Sequence, residues 1–169
     1  MKTVIRTAVA SVALASLGLS APAWAATETA EARAQILAAL DVMLDGTRDT
    51  LDFGTIAESG AGGTVTLTPA GGLTCGSGLV CAGTTETPKF DIDGENGATV
   101  NISLTSDTIT LQSGGDTMNV ALSTSADSLV LDGTGVGTFD VGGVLTVGAN
   151  QAVGTYTNTT DLIVNVVYN

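Results

Sequence analysis

From Leu51 onward, apolar and polar residues alternate in short runs that are separated by glycine-rich turns. Clear examples are "GTVTLTP" at 63–69, "KFDID" at 89–93, "ATVNISL" at 98–104 and "DLIVNVVY" at 161–168. Successive side chains of a strand point to opposite faces, so this period of two predicts strands with one buried face. Because such runs recur about every 8–12 residues, the sequence predicts an antiparallel β-sandwich or barrel.

The first 25 residues have the pattern of a secretory signal peptide. Lys2 and Arg6 precede the apolar run "TAVASVALASLGL", and Ala23 and Ala25 occupy the small-residue positions before a cleavage point. The run is too short to span a membrane, and no later run approaches the about 20 apolar residues that a span requires. We therefore expect export to the periplasm and then to the cell surface or medium, with no membrane span.

The charge of the mature chain excludes several functions. Residues 26–169 contain all 17 acidic residues and only three basic ones, so the mature chain has a net charge of −14. This charge argues against nucleic acid as a partner. The sequence contains no histidine, the commonest general base and zinc ligand. No carboxylate pair, Asp49 and Asp52 included, stands out as catalytic. We predict that the protein is not an enzyme and that it needs no cofactor.

Cys75 and Cys81 are the only cysteines, and five residues separate them. In an exported chain such a pair is expected to form a disulfide. The short spacing predicts that the bond closes a small loop or joins the two arms of a hairpin.

The segment "DIDGENG" at 91–97 resembles the start of a calcium-binding loop, with Asp91, Asp93 and Glu95 in alternation. The EF-hand pattern requires a glutamate at its twelfth position, where this chain has Ile102. Asp-Gly and Asn-Gly, which both occur here, are also the preferred residue pairs of a hairpin turn. We therefore predict a turn and no metal site.

Residues 26–50 are richer in Ala, Glu and Leu and allow two interpretations. As a helix, Ile36, Leu37, Leu40 and Leu44 would form an apolar stripe. As a strand, the even-numbered residues of 30–44 would share one apolar face. The β context favours a strand over 36–44, with a loose extension before it. The chain thus divides into a signal peptide (1–25), an N-terminal extension (26–50) and a β-sandwich domain (51–169).

Three segments, together with the closing strand, resemble the bacterial domain-of-unknown-function 4402 family. These segments are "LDFGTIAESGAGGTVTLTPAG" at 51–71, "FDIDGENGATVNISL" at 90–104 and "FDVGGVLTVGANQAVGTYT" at 139–157. That family looks related to spore-coat-U-like proteins and to chaperone–usher pilins. The resemblance implies an immunoglobulin-like, pilin-like sandwich that lacks one strand, which a partner supplies by adding a strand to an open edge.

The resemblance implies a secreted structural subunit of a fimbria-like or surface-coat assembly, whose copies associate by strand exchange. A periplasmic chaperone and an usher are the expected partners, besides other copies of the chain. The alternative is a monomeric exported binding domain, such as an adhesin or a carbohydrate-binding module. The predicted strand-exchange interface consists of Ile36, Ala38, Leu40, Val42, Leu44, Leu162, Val164, Val166 and Tyr168.

The cleavage pattern gives a first testable prediction. The exported protein should begin at Ala26, because Ala23 and Ala25 fit the small-residue positions that precede the cleaved bond. N-terminal sequencing of the protein recovered outside the cytoplasm measures this directly. Exported protein that still begins with Met1 would contradict the prediction.

Overall fold

The computed structural model describes residues 26–169, so the signal peptide predicted at 1–25 lies outside the described residues. Ile36–Asn169 form one compact unit. Residues 26–35 carry no regular secondary structure, and within them Arg33 Nε lies 2.7 Å from Glu31 Oε1 in an exposed ion pair. Within the part of the chain that the structure describes, no helix could cross a membrane.

Twelve strands form the described structure, and it contains no helix between residues 26 and 169. The strands are β1 (Asp41–Leu44), β2 (Thr55–Glu58), β3 (Gly63–Leu67), β4 (Leu73–Cys75), β5 (Leu79–Ala82), β6 (Lys89–Asp93), β7 (Thr99–Leu104), β8 (Thr108–Ser113), β9 (Asp116–Thr124), β10 (Ser128–Val130), β11 (Val136–Val147) and β12 (Val164–Tyr168).

The strands pair antiparallel in three sheets. The largest sheet has the order β1-β6-β11-β3-β4, and β9 also pairs with β11 and carries β8 on its other side. The second sheet has the order β10-β7-β12, and the third consists of β2 and β5. The predicted all-β sandwich is therefore confirmed.

Strand β11 joins the two halves of the largest sheet. Its first half, 136–140, pairs with β6, whereas its second half pairs with both β3 and β9. Gly142 and Gly143 are buried at the junction, and a Cβ on Gly142 would collide with the carbonyl oxygen of Leu67. The sequence alternates in "GTFDVGG" at 137–143 and in "LTVG" at 145–148, which predicts two separate strands with glycines at the turn between them. That interpretation is wrong, because these glycines allow neighbouring backbone to approach and do not form a turn.

The sandwich contains two hydrophobic cores. The first core is formed by Phe53, Val65, Leu67, Leu79, Ile109, Val120, Leu145 and Val147. The second core is formed by Phe90, Ile92, Val100, Ile102, Leu131, Phe139 and Val141. Phe90 and Phe139 are directly opposite in β6 and β11 and stack with ring centroids 5.1 Å apart. Leu122 and Leu162 pack against both cores and thus connect them.

The predicted disulfide is present between Cys75 and Cys81. Cys75 ends β4, which pairs with β3, whereas Cys81 lies in β5, which pairs with β2. The bond therefore links the small sheet to the largest sheet. It does not join two arms of one hairpin, because each cysteine pairs with a different neighbouring strand.

The N-terminal extension contributes a strand to the compact unit. β1 covers Asp41–Leu44, within the strand predicted over 36–44, and the helical alternative is wrong. β1 pairs with β6, from Asp41 opposite Asp93 to Leu44 opposite Phe90. Part of the predicted extension, 26–50, is thus an edge strand of the sandwich. The predicted turn after β6 is also present, since the Ala98 N–H donates to the Glu95 carbonyl at 3.1 Å.

Removal of the disulfide should destabilise the fold. Cys75→Ala with Cys81→Ala should lower the free energy of unfolding by about 2 kcal/mol, because the bond closes a short loop in the unfolded chain. Urea unfolding followed by circular dichroism measures the difference. The unmodified protein in excess reductant should match the double variant. An unchanged midpoint in both would show that the bond does not stabilise the link between β4 and β5.

Candidate functional site

The two ends of the compact unit meet against the second core, along a boundary between two sheets that we call the seam. On one side of the seam lies β1, the edge strand of the largest sheet, and on the other side lies β12, the edge strand of the β10-β7-β12 sheet. Leu40 and Val42 of the N-terminal side pack against the second core. Val164, Val166 and Tyr168 of the C-terminal side pack against the same core. The seam therefore closes one core from both ends of the compact unit.

Strand β12 presents an unpaired backbone edge at the seam. The Ile163 carbonyl accepts from the Thr105 N–H, and the Asn169 N–H donates to Thr99. Because hydrogen-bonding groups alternate along a strand, the odd-numbered residues of β12 bond to β7. The N–H and C=O groups of Val164, Val166 and Tyr168 consequently point to the other edge. Such an edge can template the addition of a further strand.

Strand β1 has the same arrangement. The Asp45 N–H donates to the Lys89 carbonyl at 2.9 Å, so the odd-numbered residues of β1 bond to β6 and the even-numbered ones point away. The Val42 N–H is occupied by its own neighbour, the Asp41 carboxylate, at 2.9 Å. The side chains of Leu40 and Val42 still face the core, because they belong to the same even-numbered set. β1 is thus a short strand held by pairing on one side.

Tyr168 ties the two ends of the seam together. The Glu95 N–H donates to the Tyr168 hydroxyl oxygen at 2.6 Å, and that hydroxyl donates to the Ala38 carbonyl at 3.1 Å. The Glu95 carboxylate in turn accepts from the Ala38 N–H at 2.9 Å. One turn after β6 therefore holds both the start of the compact unit and its penultimate residue.

Gly94 makes this convergence possible. It is buried, and a Cβ at this position would lie 2.5 Å from the Tyr168 hydroxyl, 2.9 Å from Leu40 Cδ1 and 3.0 Å from Leu131 Cδ1. Any side chain at residue 94 would push Leu40 and Tyr168 apart. The sequence had indicated Gly94 as a turn residue, and nothing in the local pattern showed that both chain ends pack on it.

A cavity of about 590 Å³ lies at the far end of the seam. The loop after β1 and segment 155–162 before β12 form its walls, and its floor includes Phe53 and Phe90 from the two cores. Asp49 and Asp52 lie at its edge. The cavity size is within the range of about 300–1,000 Å³ that is common for ligand sites.

The loop that follows β1, residues 45–50, is anchored by charged side chains. Thr47 donates to the Asp45 carboxylate from its N–H at 2.8 Å and from its hydroxyl at 2.7 Å. These two bonds, with a weaker contribution from Lys89, lower the pKa of Asp45 to about 2. Lys89 Nζ lies 3.0 Å from Asp91 and 3.4 Å from Asp45, and these carboxylates raise the pKa of Lys89, Asp91 having the larger effect.

The structure brings together part of the predicted strand-exchange interface. Leu40 and Val42 share the second core with Leu162, Val164, Val166 and Tyr168, but β1 pairs with β6 and not with β12. Leu44 is 47% exposed and lines the cavity. Ile36 is 95% exposed, and Ala38 contributes its backbone groups.

The acidic residues of "DIDGENG" serve different roles in the structure. Asp91 pairs with Lys89, Asp93 is exposed opposite Asp41, and Glu95 binds the Ala38 N–H. No group of three or more His, Cys, Asp or Glu residues within 26–169 could hold a metal ion.

Fold and site define an all-β sandwich domain in which both ends of the described unit close one core. The chain belongs to the family described as Domain of unknown function (DUF4402), whose model matches residues 44–168. The match begins at the last residue of β1, so the segment before it lies outside the matched range. No curated protein and no solved structure matches the chain.

The packing on Gly94 gives a testable prediction. Gly94→Ala should lower the free energy of unfolding by about 1–3 kcal/mol, because the added methyl group overpacks a filled site. Gly115→Ala is the matched control, since a Cβ there meets no atom within 4 Å. Urea unfolding of both variants compares them. Equal midpoints for the two variants would contradict the account of Gly94.

Proposed function

We propose that the protein is an exported structural subunit of a fimbria-like or surface-coat assembly, whose copies associate by strand exchange at the seam. The observation that carries the proposal is the seam itself. Two edge strands, one from each end of the compact unit, flank the same core, and neither pairs with another strand on its outer edge. On β1, the Val42 N–H of that edge bonds to the Asp41 carboxylate. This arrangement lets another strand, from a second copy or from a chaperone, add to the sandwich.

The exposed residues before β1 support exchange between copies. Ile36 is a large aliphatic side chain that is almost fully exposed, and residues 26–40 form no strand. An element near a chain end that packs on a core can occupy the identical site of a second copy and keep its contacts. Exchange would therefore cost few interactions and would connect copies head to tail.

Export is the second part of the proposal. The disulfide supports it, because such bonds persist in oxidising compartments and are rare in the cytosol. A periplasmic chaperone would be required to cover the β12 edge before assembly, and an usher would exchange it for the next subunit. The function proposed is structural and involves no catalysis.

A specific observation favours the alternative of a monomeric binding domain. β1 packs on the second core of its own chain, and the cavity of about 590 Å³ is open for a ligand. In that case the seam is closed within one molecule, and the cavity would be the binding site.

Substitution of Leu40 distinguishes the strand-exchanging subunit from the monomeric binding domain. Leu40→Asp puts a charge at a side chain that packs on the second core, which should cost about 2–5 kcal/mol of stability for the closed seam. Val80→Asp is the control, because Val80 is 69% exposed on β5, away from the seam. Light scattering after gel filtration measures the assembly state, and urea unfolding measures the stability.

If the copies exchange strands, mature protein should form multimers with increasing concentration, and the Leu40→Asp variant should not. If the unmodified protein is monomeric at every concentration, strand exchange is wrong and the monomeric alternative holds. Unchanged stability and assembly of the Leu40→Asp variant would contradict both functions.

A further inference from the structure

Arg48 and Lys89 are the only basic residues of the compact unit, and both hold the loop that follows β1. The unit is otherwise rich in acidic residues, so each cation has many carboxylates available on the surface. Both nonetheless lie at the point where β1 leaves the sheet. This placement gives the C-terminal end of β1 ionic contacts that its N-terminal end does not have.

Lys89 secures the start of the loop to β6. Its Nζ bridges Asp91 at 3.0 Å and Asp45 at 3.4 Å. Its backbone adds two bonds, since the Asp45 N–H donates to the Lys89 carbonyl at 2.9 Å and the Lys89 N–H donates to the Arg48 carbonyl at 3.0 Å. β1 and the loop are therefore bonded continuously to one strand of their own chain.

Arg48 secures the loop to β11. Its Nη2 donates to Thr87 Oγ1 at 2.8 Å and to the Thr87 carbonyl at 3.1 Å, and it lies 2.6 Å from Asp140 Oδ1. Thr87 is 3% exposed, and Asp140 Oδ1 is buried without an aligned hydrogen bond. The contact with Asp140 is thus ionic in character. If the loop left, Asp140 would lose its counter-charge and Thr87 would lose its two bonds from Arg48.

The other end of β1 has weaker anchors. Ala38 is held by one bond to the Glu95 carboxylate and one from the Tyr168 hydroxyl. Transfer of β1 to a second copy would require residues 45–50 to swing out and to break both ionic anchors. Transfer of the segment before Leu40 would require the loss of the two Ala38 bonds.

We propose that Arg48 and Lys89 act as a latch that keeps β1 in its own chain, so that the segment exchanged with a second copy ends before Leu40. This inference rests on the proposed function and narrows it. β1 then forms a fixed wall of the seam, and the arriving segment of a second copy pairs beside it.

A disulfide trap tests which segment moves. Asp41 and Asp93 are exposed and directly opposite in β1 and β6, so Asp41→Cys with Asp93→Cys places two cysteines at a distance suited to a bond. Assembled protein is oxidised, dissolved in denaturant and separated without reductant. The latch predicts single chains, because the bond forms within one molecule. A ladder of linked chains would show that β1 itself is exchanged and would overturn the proposal.

A second experiment repeats the disulfide trap after the two cations are removed. Arg48→Gln with Lys89→Gln, in the same trap, should raise the fraction of linked chains severalfold. Asp107→Asn with Asp116→Asn is the control for linked chains, because it also removes two charges, both exposed and outside the loop after β1. Arg33→Gln removes the remaining cation of residues 26–169, but Arg33 lies in the exchanged segment, so this variant serves as a control for the monomer alone. Salt at about 1 M screens exposed ion pairs, so it should also raise the fraction of linked chains when Arg48 and Lys89 are both present. No increase in linked chains under either condition would overturn the latch.

Hydrogen exchange separates failure of the latch from failure of the proposed function. If the protein is monomeric at every concentration, strand exchange is wrong, and the latch is judged on the monomer. The backbone amides of Met43 and Asp45, which face β6, should then exchange severalfold faster after Arg48→Gln with Lys89→Gln than after Arg33→Gln. Equal rates would show that the two cations do not hold β1.

Discussion

The hydroxyl group of Tyr168, between the Glu95 N–H and the Ala38 carbonyl, is the contact on which the arrangement of this sandwich depends. It joins residue 38 to residue 168 through the turn that follows β6. Gly94 leaves the space that this contact requires, and Leu40 packs over the same glycine. Because both ends of the compact unit meet here, loss of this contact would release the segment before Leu40, while Leu40 and Val42 stay packed against the second core.

Local patterns in the sequence predicted much of the fold but not its long-range pairing. Strand β6 was predicted with the bounds that the structure shows, because alternation and a following turn signal are both local. Strands β2, β4 and β5 were missed, since each has four residues or fewer. β2 and β5 also pair with each other across an intervening hairpin, which no local pattern shows. The alternation in "GTYT" at 154–157 predicts a further strand, but of these residues only Thr157 forms a bridge, with Gln112.

At the candidate site, too, the sequence predicted which faces are apolar but not which strands pair. The apolar alternation of 36–44 and 162–168 predicts one buried face, and Leu40, Val42 and Val164 do pack against the second core, whereas Ile36 and Leu44 are exposed. The sequence did not show that β1 would pair with β6, because register between distant strands depends on the packing of both faces. The scarcity of basic residues was visible in the composition, yet only the structure showed that Arg48 and Lys89 hold one loop.

The central claim is that the β12 edge is unpaired in one molecule and becomes paired in the assembly. Residue-resolved hydrogen exchange of the amides of Val164, Val166 and Tyr168 tests it most directly, with Asn165 and Val167, which face β7, as internal references. The account predicts fast exchange of the three even-numbered amides in dilute monomer and strong protection in assembled protein, while the two references stay protected in both. Even-numbered amides that are protected in the dilute monomer, or that remain unprotected in the assembly, would contradict it.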